Sequence, residues 1–573
     1  MIPIGDCMTE AERYKITSND YTDILAEGFE RINGMFNSKD YTVNRINNDY
    51  AVYHPPASEL TIDSTQKFGY QYIPKCYGLM NLSSNEVSGI TRVRMDPSLE
   101  LRGQGVLLGF IDTGIDYTNP IFRYADNTSR IAYIWDQSIE SGKYQEDFYF
   151  GTEYSQWDIN TALIAEDPYR VVPSRDENGH GTALAGIAAG GEDLSAFFSG
   201  VAPDAEIVVV KLKEAKQNIK DFFCIPPNVP CYQENDIMFG IQYLINVADK
   251  LERPIAICIG IGSSQGAHEG EGVFCNFLND IGRIAGKSIV VAGGNEGNTN
   301  HHYYGEINPS VGFDVVSLNV GENESGFTME LWGFAPNIVA VEVYAPDGGL
   351  VARVSGIFLQ RSTQIVNHRG TAIFIDNQFS EERTGNQLIM FRFKKPFSGV
   401  WRFVVSGSGD LLLRYHIWLP ISNFLTANTY FINGNMDTTL SIPANAINTI
   451  AIANYNHQNQ SLYYYSGRGF TKNGGLKPDV AAPGVNITAP SLSGGFYSST
   501  GSSESTAHAT GAIALLLEWG IIRGNSTKLN NILIRRIVIN GARRSPTVSY
   551  PDQGWGFGTI DIYRAIRRYY EDD

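Results

Sequence analysis

The sequence predicts an α/β fold, a doubly wound and mainly parallel sheet with helices on both faces, into which an antiparallel β-sandwich is inserted. Near-continuous apolar runs alternate with helical patterns up to about residue 300, as expected for parallel strands covered on both faces. Between 305 and 430, short segments of alternating apolar and polar residues are separated by Gly, Pro, Asn and Asp. This second pattern is typical of antiparallel sandwiches.

The strands of the parallel sheet are predicted from four apolar runs, GVLLGFID at 105–112, AEIVVVKL at 205–212, PIAICIGIG at 254–262 and SIVVAGG at 288–294. Helical patterns separate them after 180, at 236–251 and at 274–286, and the α/β pattern resumes at 448–455. In such a sheet, functional residues are expected at the carboxyl ends of the strands.

The chain of 573 residues is long enough for three or four domains at about 150 residues each. Composition divides it into a small polar N-terminal unit at 1–66, an α/β domain formed by 67–304 and 431–573, and the β insert at 305–430. Within the first unit, DYTDILAEGF fits a strand or a helix, and DYAVYHPP fits a strand that ends at two prolines.

Charge and composition exclude several classes of protein. The net charge of -17 disfavours a nucleic-acid partner, because phosphate contacts need clustered Lys and Arg. No run approaches the roughly 20 apolar residues of a membrane span, and the first residues lack the basic start and apolar core of a Sec signal. Six cysteines are too sparse for a disulfide scaffold and match no zinc spacing. Cys224 and Cys231 could form a bridge, although two reduced thiols are favoured.

Four residues stand where chemistry is expected. Asp112 and Asn295 end apolar strands, whereas His180 and Ser503 begin helices. Each residue alone has an ordinary structural explanation: a turn carboxylate or amide, a helix-terminal imidazole and a serine N-cap. Together they occur in the order Asp, His, Asn, Ser. Three of them match the order of the Asp, His and Ser residues in the subtilisin triad.

The motifs around these residues resemble the blocks of subtilisin-like serine proteases, the subtilases. The matching segments are IDTGID, NGHGTALAG, VAGGNEGN and GSSESTAHATG, with LKPDVAAPGVNI and GWGFGTIDIYRA as flanking blocks. Within this family, the opening SNDYTDI, the segment YIPKCYGLM and the β insert resemble the clostridial Csp-type germination proteases. The serine block departs from the family pattern at Ser502, where Thr is usual, at Glu504, where an apolar residue is usual, and at Ala507, where Pro is usual. His508 matches a helix histidine of the family and is not a triad candidate.

The resemblance implies a serine endopeptidase whose nucleophile is Ser503, whose general base is His180 and whose orienting carboxylate is Asp112. It also implies that Asn295 donates to the oxyanion. The expected substrate-binding residues form two walls: a strand that pairs with an extended peptide, and a second wall beside it. These residues are Cys258, Ile259 and Gly260 on the first wall, and Ala292 and Gly293 on the second.

The same resemblance implies that residues 1–66 are a propeptide and that 66–75 is the place of autoprocessing, although a permanent N-terminal domain stays possible. The expected partners are a protein or peptide substrate and the chain's own propeptide. No cofactor is expected to be required, but bound Ca²⁺ is compatible with the acidic loops. Without a Sec signal, the resemblance implies a bacterial protein that is exported by a non-classical route or associated with spores, and otherwise cytoplasmic.

Three alternatives bear on function. A catalytically silent scaffold or signalling protein with a subtilase fold is disfavoured, since all triad residues are present. A lipase-like esterase is disfavoured because it would place its His after its Ser, whereas His180 precedes Ser503. The β insert is expected either to clamp the α/β domain, as a jelly roll, or to bind partners.

Overall fold

The computed structural model describes residues 8–571 except 29–40, 62, 80–87, 143, 145–146, 357–361, 408–411, 427 and 493. The chain begins with a small unit that contains a three-stranded antiparallel sheet in the order β1-β3-β2. DYTDILAEGF therefore contributes a strand. In the structure, the name N-terminal unit is used for the segment up to Leu79, which extends past the predicted boundary at 66. Its elements are α1 (Glu10–Thr17), β1 (Ile24–Glu27), β2 (Thr42–Arg45), β3 (Tyr50–His54), α2 (Ser64–Phe68) and β4 (Cys76–Leu79).

The first part of the α/β unit alternates strands with helices, as its apolar runs predict. Its elements are α3 (Ile90–Met95), β5 (Leu107–Asp112), β6 (Ile131–Asp136), β7 (Thr152–Ser155), α4 (Gln156–Leu163), α5 (Pro168–Val171), α6 (His180–Ala189), β8 (Glu192–Asp193), β9 (Phe198–Ser199), β10 (Glu206–Lys211), α7 (Gln217–Phe222), β11 (Tyr232–Gln233), α8 (Glu234–Lys250), β12 (Ile255–Ile259), β13 (Ile261–Gly262), α9 (Val273–Ile281) and β14 (Lys287–Ala292).

The β insert consists of two antiparallel sheets that share an apolar core of Val, Ile, Leu and aromatic side chains. One sheet has six strands and the other has five, which is the layered arrangement of a sandwich. Its strands are β15 (His302–Ile307), β16 (Phe313–Val320), β17 (Gly326–Gly333), β18 (Val339–Tyr344), β19 (Leu350–Val354), β20 (Ser362–His368), β21 (Thr371–Gln378), β22 (Leu388–Lys394), β23 (Gly399–Gly407), β24 (Leu413–Trp418) and β25 (Tyr430–Phe431).

The second part of the α/β unit supplies the remaining strands of the main sheet and the longest buried helix after α8. Its elements are β26 (Ile450–Asn456), β27 (Ser461–Leu462), β28 (Val480–Pro483), β29 (Ile487–Pro490), β30 (Phe496–Ser499), α10 (Ser502–Leu517), α11 (Asn531–Gly541) and α12 (Ile562–Glu571). Every residue of α10 is buried.

The main sheet has nine strands in the order β27-β26-β14-β12-β5-β10-β6-β7, with β28 beside β26. The pairs from β26 through β6 are parallel, and β7 is antiparallel at the edge. One face packs against α6 and α10, and the other packs against α8 and α9. The predicted doubly wound α/β sheet is therefore confirmed. It brings the carboxyl ends of β5, β12 and β14 to one edge, beside the first turns of α6 and α10.

Two further sequence predictions concern membrane spans and cysteines. Across the described part of the chain, no helix is both long and apolar enough to cross a bilayer. Cys224 and Cys231 are both free thiols, so these two residues do not form the bridge that the sequence left open.

Candidate active site

Three side chains from distant parts of the chain form a hydrogen-bonded row. His180 Nδ1 lies 2.7 Å from Asp112 Oδ1, and His180 Nε2 lies 3.2 Å from Ser503 Oγ. All three residues are buried, with exposed fractions of 1%, 6% and 0% for Asp112, His180 and Ser503. The structure thus brings together the carboxylate, imidazole and hydroxyl that the sequence singles out, in the arrangement of a nucleophile, its base and an orienting group.

The turn after β5 and the start of α6 are tied to each other, which fixes the first two members of this row. Thr113 Oγ1 donates to Asp176 Oδ1 at 2.8 Å and accepts from the Gly181 amide at 3.0 Å. Asp176 also accepts from the Thr182 amide and hydroxyl at 2.9 and 2.7 Å. Gly181 has no room for a side chain, because a Cβ there would lie 2.2 Å from the Gly114 carbonyl oxygen. The sequence analysis did not identify Asp176 as part of the site. The only indication in the sequence was its position two residues before the NGHGT motif.

Ser503 stands in the first turn of α10, where backbone N–H groups lack partners within the helix. The preceding amide, that of Ser502, donates to Asn295 Oδ1 at 3.1 Å. This bond holds the Asn295 side chain at the head of the helix and leaves its NH₂ group available as a donor. An amide donor beside a nucleophilic serine is suited to an oxyanion that forms there.

Gly260 and the neighbouring strand β13 border the site beside Ser503, which corrects part of the expected substrate wall. Cys258 and Ile259 belong to β12, which lies inside the main sheet between β14 and β5, and both are buried. Their backbone is therefore not an edge for a substrate. Gly260 does border the site: a Cβ there would lie 3.1 Å from Ser503 Cβ and 2.6 Å from Leu184 Cδ1. Glycine at this position leaves room for the Ser503 side chain.

Ala292 and Gly293 lie at the carboxyl end of β14, just before Asn295. Ala292 pairs with Ile452 inside the sheet, and the Gly293 amide donates to the Ile452 carbonyl at 2.9 Å. The Gly293 carbonyl in turn accepts from the Ser441 amide at 3.0 Å. These two residues thus hold the turn that carries Asn295, and their expected role as a pocket wall stays a prediction.

A strand of the N-terminal unit occupies the groove beside this site. β4 is the middle strand of a three-stranded sheet in the order β11-β4-β13 and is antiparallel to both neighbours. Leu79 is opposite Ile261, and Gly78 is opposite Gly262. The segment 66–75 does not lie between these walls: it forms α2 and a following turn, where buried Tyr70 donates to Glu330 of the insert at 2.5 Å. This placement contradicts 66–75 as the segment presented for cleavage.

Glu504, the residue after the nucleophile, is an unusual feature of this site. Its side chain has no solvent exposure, and neither carboxyl oxygen has a hydrogen-bond partner. Burial and the nearby Asp112 carboxylate raise the pKa of Glu504 well above its usual value, although the adjacent Ser503 side chain opposes this shift. Burial therefore favours the neutral form of this carboxyl over the charged form.

A metal centre has no support from the side chains. Among the residues that the structure describes, no group of three or more His, Cys, Asp or Glu side chains is arranged to hold an ion. Bound Ca²⁺, which can also use backbone carbonyl ligands, remains a prediction from the sequence.

An Asp-His-Ser row at the carboxyl edge of a doubly wound sheet, with an asparagine amide beside the serine, defines the class of serine hydrolases built like subtilisin. The family comparison agrees with this geometry. The model of the subtilase family, Peptidase S8, matches residues 103–345 and 413–558, which is more than half of the chain and omits most of the insert. The chain belongs to the subtilase family.

Individual proteins that are similar to this chain are also named as proteases. The solved structure of the Clostridium perfringens CspB protease superposes with a TM-score of 0.76 at 30% identity, covering 85% of this chain and 98% of that one. Subtilisin-like protease SBT2.2 of Arabidopsis thaliana is 33% identical over 129 residues, 20% of this chain and 15% of that protein. Subtilisin-like protease 3 of Pseudogymnoascus destructans is 30% identical over 175 residues, 30% of this chain and 35% of that protein. The matched segments thus span well under half of the length of each of these two relatives.

Proposed function

We propose that the protein is a serine endopeptidase that hydrolyses peptide bonds through Ser503, His180 and Asp112. The observation that carries the proposal is the continuous row from Asp112 Oδ1 through the imidazole to Ser503 Oγ, with contacts of 2.7 and 3.2 Å. Family membership supports it, because this row lies where subtilases have their triad.

The geometry implies a division of roles. Ser503 Oγ attacks the substrate carbonyl while His180 Nε2 takes the hydroxyl proton, and the imidazole later protonates the leaving amine. Asp112 holds the Nδ1–H tautomer of His180 and stabilises the imidazolium. The oxyanion is positioned for the Asn295 amide and the Ser503 backbone N–H, and loss of one such donor lowers kcat by about 10²–10³-fold.

The test is hydrolysis of fluorogenic peptides by wild type and by Ser503→Ala. We expect the variant to lose activity and to keep its fold by circular dichroism. Ser505→Ala is the matched control, because the Ser505 hydroxyl bonds to the Ser502 carbonyl within the same helix at 2.8 Å and does not belong to the row. Full activity of Ser503→Ala would refute the assignment.

The position of β4 supports autoprocessing, with the N-terminal unit as the propeptide. An extended segment between two backbone edges is bound as a substrate strand is bound, by β-augmentation. The described part of β4 ends at Leu79, opposite Ile261, and the residue before Ile261 is Gly260, which borders Ser503. We therefore predict cleavage of the 80–81 bond.

N-terminal sequencing of the purified protein tests this prediction. The expected new terminus begins Asn81-Leu82-Ser83 in wild type, while Ser503→Ala stays a single chain of 63.3 kDa. A new terminus within 66–75, or an uncut wild type that hydrolyses peptides, would contradict it.

The alternative is a subtilase fold without catalysis, in which β4 occupies the groove permanently. The intact row of Asp112, His180 and Ser503 does not favour this alternative. The non-catalytic alternative predicts an uncut chain without peptidase activity. Peptide hydrolysis and N-terminal sequencing therefore distinguish it from the endopeptidase.

A further inference from the structure

Neither carboxyl oxygen of Glu504 accepts a well-formed hydrogen bond, although the Ser503 side chain lies close enough to lower the pKa of this carboxyl. The Ser505 and Thr506 hydroxyls both donate to the Ser502 carbonyl, at 2.8 and 2.7 Å, and the Ser503 hydroxyl is in reach of His180. An unsatisfied polar group in a protein interior costs about 1–3 kcal/mol. An apolar side chain would avoid this cost, so the structure gives no stabilising reason for an acid at this position.

The surroundings of Glu504 contain acids and weak acids but no described cation. On its own helix it faces Ser503, and from β5 it faces the Asp112 carboxylate. Cys258 of β12, Tyr463 after β27 and Tyr497 of β30 lie close enough for a charge on Glu504 to raise the pKa of each. His180 lies beyond Ser503, and its Nδ1 is hydrogen-bonded to Asp112 at 2.7 Å. A negative charge on Glu504 would therefore be opposed by Asp112 and compensated by none of these groups.

From this placement we propose that Glu504 must be protonated for Ser503 to act, and that its ionisation sets the upper pH limit of catalysis. The inference rests on the proposed function, because it concerns the reactivity of the same serine. Glu504 is a positioning residue in this account: it acts through Ser503 and the charge of the site, and it forms no bond with the substrate.

Two physical effects make the ionised form inactive. A carboxylate is a stronger hydrogen-bond acceptor than a carboxylic acid, so ionised Glu504 would draw the Ser503 hydroxyl proton away from His180 Nε2. The new charge would also oppose the negative charge that develops on the substrate carbonyl oxygen, in a buried site where such repulsion is poorly screened. The proton released by Glu504 passes to the solvent, so no other reactant is required.

The experiment is a profile of kcat/KM against pH, from 6 to 10.5, for wild type and Glu504→Gln. Each profile is compared with its own maximum. Wild type is expected to lose activity tenfold per pH unit above a single midpoint. Glutamine has nearly the same shape as glutamate and cannot ionise. The kcat/KM of Glu504→Gln is therefore expected to stay constant above the pH at which wild type begins to lose activity.

Three matched variants remove the weak acids near Glu504. Tyr463→Phe, Tyr497→Phe and Cys258→Ala should each keep the alkaline decline of the wild type. The inference is overturned if the alkaline decline disappears in one of these variants or persists in Glu504→Gln. It is also overturned if folded wild type shows no alkaline decline, or if folded Glu504→Gln is inactive at every pH.

Labelling with a fluorophosphonate below the midpoint separates this inference from the function on which it rests. If Ser503 is unreactive in both wild type and Glu504→Gln, the proposed function fails. If Ser503 is labelled in both proteins and the alkaline decline is the same in both, the proposed function stands and the role of Glu504 is wrong.

Discussion

Asp23 and Glu504 are both buried carboxyl groups, with exposed fractions of 1% and 0%, but their partners differ completely. Asp23 Oδ1 lies 2.7 Å from the Lys216 ammonium and 2.8 Å from His54 Nδ1. Its Oδ2 accepts from the side-chain amides of Gln233 and Asn235 at 2.9 and 3.1 Å. Glu504 has none of these contacts.

The difference in partners shifts the pKa values of the two carboxyl groups in opposite directions. Burial alone would raise the pKa of Asp23, but the Lys216 charge and the His54 hydrogen bond outweigh burial and lower it. At Glu504, burial and Asp112 act in the same direction and raise the pKa. Burial therefore sets the cost of a charge, and the partners decide whether the charge persists. The same rule distinguishes Asp23, whose carboxylate joins two units of the fold, from Glu504, whose carboxyl lies beside Ser503 without a cation to stabilise its charge.

Asp23 also has a structural consequence for the groove. It belongs to the N-terminal unit, whereas Lys216 and Gln233 belong to the α/β unit, and Gln233 is part of the groove strand β11. Asp23 thus braces one wall of the groove in which β4 lies.

The largest effect is expected for Asp23→Ala, measured by urea unfolding in the Ser503→Ala background so that autoprocessing does not intervene. The variant leaves the Lys216 ammonium buried without its carboxylate, which costs about 3–5 kcal/mol. Because the pKa of Asp23 is lowered in the folded state, its stabilising contribution is complete at neutral pH and is lost as the pH falls below about 4.

The control is Asp49→Ala, at an exposed carboxylate of the same unit, which should change the free energy of unfolding by less than about 0.5 kcal/mol. A similarly small change for Asp23→Ala would contradict the claim that Lys216 and the other partners of Asp23 stabilise its charge.

Glu504→Met is expected to act in the opposite direction and more weakly, raising the free energy of unfolding at pH 7 by about 1–3 kcal/mol. Replacing the unpartnered acid removes an unsatisfied buried group. Since the raised pKa keeps the folded state protonated while the unfolded state ionises above about 4.3, the stability gain should grow as the pH rises from 5 to 8. Urea unfolding at both pH values measures this trend, and a loss of stability in the variant would show that the carboxyl has a partner.

Tyr70→Phe is an intermediate case with the smallest expected effect. Burial raises the pKa of Glu330, although Tyr70, Trp332 and the Gly266 amide all donate to this carboxyl. Removing one neutral donor from a group that keeps two should destabilise the protein by about 0.5–1.5 kcal/mol in the same unfolding assay. A loss as large as that of Asp23→Ala would mean that neutral donors and a cation stabilise a buried carboxyl equally.

The sequence predicted the parallel sheet and the meeting of Asp112, His180 and Ser503 because these features follow from local patterns. Apolar runs predict strands, and the carboxyl ends of parallel strands meet at one edge. The expected wall of Cys258 and Ile259 was wrong for the same reason: their apolar run marks the interior of the sheet, and the edge begins only at Gly260. The groove strand β4 could not be predicted, since four residues carry no clear period and their partners lie more than 150 positions away.

Glu504 shows a different limit of sequence reasoning. The serine motif identifies the residue as a departure from the family pattern, but its burial and its missing partners are properties of the packed structure. Motif comparison finds the position, and only the surrounding side chains explain why its pKa is raised.

The most direct test of the catalytic row is fluorophosphonate labelling followed by peptide mapping, with wild type compared with Ser503→Ala. We predict a single modified residue, Ser503, in wild type at pH 7, and no modification in the variant. Equal labelling of the two proteins, or a modified serine elsewhere in the chain, would contradict the account.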